Sequence, residues 1–257
     1  MRDPHVQVMH YAAGSGEGIS YLDPEPISFS NHLGTFELGD SKLRITPVEH
    51  FSEEEEARRA VEPFLRAWEM EADLNSNVGM IRFTFERAEL VDRDPPPPGS
   101  PQVIKIKEAI TVSVDLSASL QMTHRKYPQP PNTFRATPEV QHAYRRWIGF
   151  RSGKEPLQAM AYFVLTLLES AAGGRKNAAR SFNIELDVLR VIGELSSTKG
   201  DPSTARKAGP GTQFQELTGA EKQWLEKAIP LVIRRLGEHA SGAPLAPIAL
   251  TDLPGIL

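Results

Sequence analysis

Near its C-terminal end the chain reads IRRLGEHA, which places Arg234 and His239 with four residues between them. An imidazole exchanges protons near neutral pH and a guanidinium holds phosphate charge, so the pair has the chemistry to cut RNA. The same residues can instead close a helix, because cations in a last turn meet the negative end of the helix dipole. Gly242 and Pro244 follow as stop signals.

A second group begins at His124. From there to Lys154 the chain carries Arg125, Lys126, Arg135, Arg145, Arg146, Arg151 and Lys154 against Glu139 alone, with Tyr127, Phe134, Tyr144, Trp147 and Phe150 interleaved. Cations neutralise phosphates and aromatic rings stack on bases, so the stretch suits single-stranded nucleic acid. The alternative makes Tyr144 and Trp147 core residues and the arginines the solvated face of a helix. The loop SSTKGDPSTARKAGPG, residues 196–211, is too long for a tight bundle connection, and its Lys199, Arg206 and Lys207 are either further polyanion contacts or the charges of a mobile solvated loop. These cations belong to a wider asymmetry. Residues 1–121 hold 11 Lys and Arg against 21 Asp and Glu, whereas residues 122–257 hold 18 against 12. A basic half implies either a polyanion surface or a face that packs on the acidic half.

Other chemistries lack their signals. With no cysteine there is no thiolate ligand, disulfide or Cys nucleophile. The seven histidines show no ligand spacing, and no Gly-x-Ser-x-Gly elbow or phosphate-binding Gly-x4-Gly-Lys-Ser/Thr occurs, so no metal or cofactor is expected. GSGEG, with Gly14, Gly16 and Gly18, precedes strand-like residues rather than a helix, and reads as a hairpin loop instead of a phosphate cradle. The N-terminus shows no secretory pattern, and the most apolar stretch, PLQAMAYFVLTLLESAAGG, is interrupted by Gln158 and Glu169. A cytoplasmic protein without a membrane segment is therefore expected.

The elements that must position these residues fall into two modules, over 1–130 and 134–257, with the joint in KYPQPPNTFRATP. The first alternates with period two. TFELGDSKLRITP reads as a hairpin turning at Gly39-Asp40; GMIRFTFERAEL places Ile81, Phe83 and Phe85 on one face; KEAITVSVDLSASLQ repeats the pattern with Ile110, Val112, Val114, Leu116 and Ala118. One helix over 52–74, opened by a Ser52/Glu55 capping box and kinked or split at Pro63, packs on this sheet through Ala57, Val61, Phe64, Leu65 and Trp68. DRDPPPPGSP is a stiff connector.

The second module has helical periodicity. Helices are expected from Thr137-Pro138 to about Phe150, from Pro156 to Gly173-Gly174, and from about Ser181 to Ser197. The last opens at a Thr218/Glu221 capping box, with a kink at Pro230. The class is α+β: an N-terminal antiparallel sheet with one packed helix, then an all-α bundle of about four helices.

A four-helix module with Arg234-x4-His239 in its last helix resembles the HEPN superfamily over residues 134–240. Two other Arg-to-His pairs of similar spacing, Arg44 to His50 and Arg135 to His142, do not occupy the family's place in a bundle. Within the motif Arg235 stands where the family commonly has a small polar residue, and Gly237 follows. The resemblance implies a metal-independent ribonuclease and a homodimer through the helical module. His239 would then act as general acid or base on the ribose 2′-hydroxyl or the leaving oxygen, and Arg234 would stabilise phosphorane charge. Beside it stand two readings from the charge layout. One is a binding or regulatory protein whose basic half contacts RNA or another polyanion, and the other is a structural subunit whose halves pack on each other or on another chain.

Overall fold

The structure, a computed structural model, describes residues 3–94, 105–108, 122–197 and 216–256. The chain divides into two compact units, Met1–Pro130 and Pro131–Leu257, and its class is α+β, with the strands of the described residues all in the first unit.

The first unit contains β1 (Pro4–Gly14), β2 (Ile19–Glu25), β3 (Ile27–Asn31), β4 (Gly34–Gly39), β5 (Lys42–Pro47), α1 (Glu54–Asn75), β6 (Arg82–Asp92), β7 (Lys105–Glu108) and β8 (Met122–Lys126). Six strands form one sheet in the order β3-β4-β5-β1-β6-β7, with every neighbouring pair antiparallel. The alternation fixes the register. Phe36, Leu38, Leu43 and Ile45 bury on one face while Thr35, Glu37, Arg44 and Thr46 stay exposed. On β6 the alternation changes phase at a bulge: Tyr11 pairs Phe85 but His10 pairs Arg87. Ala88 and Leu90 thereby return to the core beside Phe85.

The β4–β5 turn lies one residue later than the sequence indicates. Gly39 pairs with Lys42, and the two central residues are Asp40 and Ser41, both at positive φ (49° and 58°). Tertiary bonds fix this choice, because the Ser41 amide donates to the Tyr127 hydroxyl at 3.1 Å and its carbonyl accepts from Ala13 at 2.8 Å. The GSGEG loop is not a hairpin turn either. It leads from β1 into β2, which pairs in parallel with β8, Ile19 against Met122. Gly16 donates to the Gly79 carbonyl at 2.7 Å. A Cβ on either glycine would lie under 3 Å from the other's backbone, so the glycines serve close backbone contact.

Helix α1 packs on the sheet as its spacing indicates, burying Ala57, Val61, Leu65 and Trp68 against Met9, Tyr11, Phe36 and Ile81. Its start differs: Glu53 is the N-cap and makes no side-chain cap bond, and the Ser52 hydroxyl instead reaches the Glu56 carboxylate at 3.5 Å. The three glutamates of the first turn supply the negative charge that the positive helix end favours. Pro63 is exposed and does not split the helix, and neither does Pro230 in the last one. The strand expected over residues 110–118 and the proline run 95–98 lie outside the described residues.

The second unit contains α2 (Pro138–Arg151), α3 (Leu157–Ala172), α4 (Arg175–Ser181), α5 (Leu186–Ser197) and α6 (Gly219–Ser241). Local signals place most boundaries. Thr137 caps α2 by accepting from the Val140 amide, Gly173 ends α3 in the left-handed region, and the Thr218/Glu221 capping box is complete. Trp147, Met160, Leu168, Val188, Ile192, Trp224 and Ile233 are buried among them.

The helix expected from Ser181 is replaced by α4, a break, and α5, so there are five described helices rather than about four. Asn183 sits at φ 48°, its side chain donates to the Leu245 carbonyl, and its own carbonyl accepts from Ile248. A bridge between Ile184 and Ile248 completes the strap that the C-terminal segment lays over this break. Among the described residues, no helix is long and apolar enough to cross a membrane.

Candidate polyanion-binding face and the Arg234–His239 helix end

Helix α2 turns Val140, Ala143, Tyr144 and Trp147 inward, and the same periodicity turns Glu139, His142, Arg145 and Arg146 to solvent. Exposed Arg135 precedes its N-cap, and exposed Arg151 and Lys154 lie at and just beyond its end. Arg146 is engaged, pairing with Glu155 at 2.8 Å and lying 4.6 Å over the Phe163 ring. Arg145 reaches only the Gln141 carbonyl of its own helix, at 3.4 Å, and the Arg151 guanidinium stands 5.7 Å from the Trp147 ring centre. Among the described residues, Arg135, Arg145, Arg151 and Lys154 have no carboxylate partner.

Four of the five interleaved aromatics behave differently, while Phe150 is partly exposed. Tyr127, Phe134, Tyr144 and Trp147 are at most 9% exposed and belong to the cores. The basic run itself divides at Pro130. Arg125 and Lys126 lie exposed on β8 of the first unit, where Lys126 approaches Glu25 at 3.5 Å, while the remaining cations belong to the second. Lys199, Arg206 and Lys207 lie outside the described residues.

The structure does not bring Arg234 and His239 into contact. An advance of five residues turns about 140° around a helix, so the two leave α6 on different sides. The Arg234 Nε donates to Glu238 at 2.8 Å, and the exposed His239 ring lies 4.5 Å from that of Phe182. Three residues between them do work that the spacing did not reveal. Arg235, 3% exposed, donates to the other Glu238 oxygen at 2.8 Å and to the carbonyls of Phe182 and Asn183 at 2.6 and 3.0 Å, tying α6 to the α4–α5 break. Glu238 joins the two arginines. Gly237 gives Phe134 room to lie on α6. The sequence held one signal for the Arg235–Glu238 pair, its three-residue helical spacing.

The first unit holds two buried carboxylates that sequence reasoning missed. Asp73 Oδ1 accepts from the Gly79 and Met80 amides at 2.9 and 3.0 Å, and its carboxylate forms a two-pronged pair with Arg82, 2.6 Å at the shorter contact. Glu69 accepts from the Phe83 amide at 2.8 Å and from Arg66 at 3.0 Å. Burial pushes the Glu69 carboxyl above its usual range, opposed by the Phe83 amide and the arginines. Two neighbouring carboxylates can share acid–base work, but these are occupied in fastening α1 to β6.

A raised folded-state value means that Glu69 contributes fully below the unfolded value near 4.5 and loses that contribution as pH rises through the folded value. Glu69→Gln should therefore be tolerated at pH 7, with a change within about 1 kcal/mol. Its stability relative to wild type should decline between pH 7 and pH 4. Urea unfolding at the two pH values measures this, and a variant that gains on wild type on acidification would contradict it.

No group of three His, Asp or Glu among the described residues is placed to hold a metal ion. No protein family, curated protein or solved structure matches the chain.

Proposed function

We propose that the chain is a polyanion-binding protein whose helical unit holds the phosphate backbone of a nucleic acid through the exposed cations of α2 and its two ends. The observation that carries this reading is the set of exposed cations, Arg135, Arg145, Arg151 and Lys154, that no described carboxylate neutralises. A cation without a partner keeps its full charge for a phosphate and need not break an ion pair to bind one. The burial of Tyr144 and Trp147 sharpens the reading. With these two rings in the core, the cations favour phosphate contacts, which position a nucleic acid without reading its sequence.

Binding of a fluorescein-labelled RNA 20-mer, followed by anisotropy from 50 to 200 mM salt, tests this. The logarithm of affinity should fall linearly with that of salt, and Arg145→Glu with Arg151→Glu should flatten the slope by roughly two phosphate contacts, about 0.7 to 0.9 each. Arg190→Glu is the control, because Arg190 is already paired with Asp187 at 2.7 Å. No RNA binding at 50 mM salt, or equal slopes in all three proteins, would sink the proposal.

A ribonuclease reading has one observation in its favour: His239 is exposed and Arg234 is about a third exposed, in the same unit as the α2 cations. On this reading a second copy of the chain brings its own pair to the first, since the two residues of one α6 diverge. RNA cleavage in EDTA by wild type, lost in His239→Ala, is the expected result; equal cleavage by both removes His239 from the chemistry.

A further inference from the structure

At one corner of the six-stranded sheet, three segments meet through two histidines. Asp3 and His5 lie on or beside the start of β1, His50 lies between β5 and α1, and Arg93 follows β6. Backbone bonds fix the approach: Arg93 donates to the Asp3 carbonyl at 2.8 Å, Val6 to the Phe51 carbonyl at 2.9 Å, and the Asp3 amide to Asp92 Oδ1 at 3.0 Å. The imidazoles stack with centroids 5.1 Å apart. His50 Nε2 is 3.3 Å from Asp3 Oδ1, and His50 Nδ1 is 3.1 Å from His5 Nδ1 and 3.2 Å from an Arg93 guanidinium nitrogen.

The donors determine where the protons sit. A guanidinium only donates, so His50 Nδ1 must offer it a lone pair. The His50 proton then sits on Nε2, towards Asp3, and His5 must donate to the same lone pair from its own Nδ1. Each ring is held as one neutral tautomer. A proton added to His5 sets a second positive charge beside Arg93. The acidic groups at this corner include Asp3, Asp92 and Asp94, with Glu49 on the His50 segment.

We propose that His5 and His50 form an acid-sensitive latch: neutral, they fasten the start of β1 and the end of β6 to the segment entering α1, and protonation of His5 opens that corner. The His5 environment agrees, since burial, then His50 and Arg93, push its pKa below the ordinary value while Asp3 alone pulls the other way. A depressed folded value gives a contribution that is complete above the unfolded value, near 6.5, and lost as pH falls through the folded one. Through His5 the opening equilibrium should therefore rise towards about tenfold for each pH unit below 6.5, as long as the closed form refuses the proton. The rest of β1 stays paired on both sides with β5 and β6, so the opening is local.

Backbone amide hydrogen exchange on the full chain at pH 7.5 and 5.5, corrected for the intrinsic rate, reads the latch. Protection of the Val6 and Arg93 amides should fall about tenfold on acidification, while the β1–β5 ladder around Met9 and Ile45 keeps its protection. His5→Gln with His50→Gln should abolish the pH dependence. Nitrogen NMR of the wild-type imidazoles at pH 7.5 should show the proton on Nε2 of His50 and on Nδ1 of His5. Unchanged protection at pH 5.5, an equal fall in the double variant, or the opposite tautomers would overturn the proposal.

Discussion

Gly237→Ala is expected to destabilise the helical unit by about 2 kcal/mol, although alanine is the better helix former by about 1 kcal/mol. The reason is a single close contact. A Cβ at position 237 would lie 2.3 Å from Phe134 Cε2 and 2.4 Å from Cδ2. Phe134 is 5% exposed, and the chain beside it is pinned because the Arg135 amide donates to the Gly237 carbonyl at 3.1 Å. The ring must leave its seat or the strand of chain must lift from α6, and either exposes apolar surface. For a unit of this size the midpoint of thermal unfolding should fall by roughly 6 to 10 °C. Phe134→Ala supplies the second arm: in that background the clash is gone, and Gly237→Ala should become neutral or slightly stabilising. A double-mutant cycle by thermal unfolding measures the coupling. If Gly237→Ala stabilises the wild-type background, Phe134 does not lie on α6. The outcome also bears on the Arg234–His239 spacing, because it assigns the glycine inside that motif to packing.

What the sequence shows plainly here is what is decided within a few residues. Thr137-Pro138, Gly173 and the Thr218/Glu221 box place helix ends because their capping partners are local. The alternations around Phe36–Ile45 and Ile81–Phe85 place strands because a half-buried sheet must repeat every second residue. The start of α1, where Ser52 reaches Glu56 instead of capping, is a local departure, and the larger ones are set by distant partners. The break at Asn183 depends on Leu245, Ile248 and Arg235, some 50 to 65 residues away. The parallel pairing of β2 depends on β8, with Ser20 and Thr123 joined across 103 residues. The shift of the β4–β5 turn depends on Tyr127. For the candidate site, the cation-rich composition was legible and the burial of its aromatics follows from helical period, whereas the freedom of Arg145 and the engagement of Arg146 turn on where Glu155 lies. The two histidines of the latch are 45 residues apart and carry no local signature.

Asp73→Ala should have the largest effect of any single substitution in the first unit, about 4 kcal/mol, a large fraction of the stability of an ordinary domain. The Asp73 side chain is fully buried, and four hydrogen bonds converge on its two oxygens. Truncation strands the buried Gly79 and Met80 amides, at about 1 to 3 kcal/mol for each unsatisfied group, and removes the Arg82 pair. Arg82 is 35% exposed and recovers part of its loss by hydration, which holds the total below the sum. The turn being held matters beyond its own bonds. Gly79 meets Gly16 backbone to backbone, and the Met80 carbonyl accepts from the Tyr21 hydroxyl at 2.6 Å, so Asp73 sets where β2 and the GSGEG loop attach. Asp73→Asn separates the contributions, because an amide keeps the oxygen that accepts from the two N–H groups while its NH2 replaces the oxygen that accepts from Arg82, so the charge and the shorter Arg82 contact are lost. It should cost about half as much in urea unfolding. Equal losses in the two variants would place the energy in the Arg82 ion pair, and a negligible loss in both would show that α1 and β6 are held by the apolar contacts of Trp68, Ile81 and Phe83 without the carboxylate.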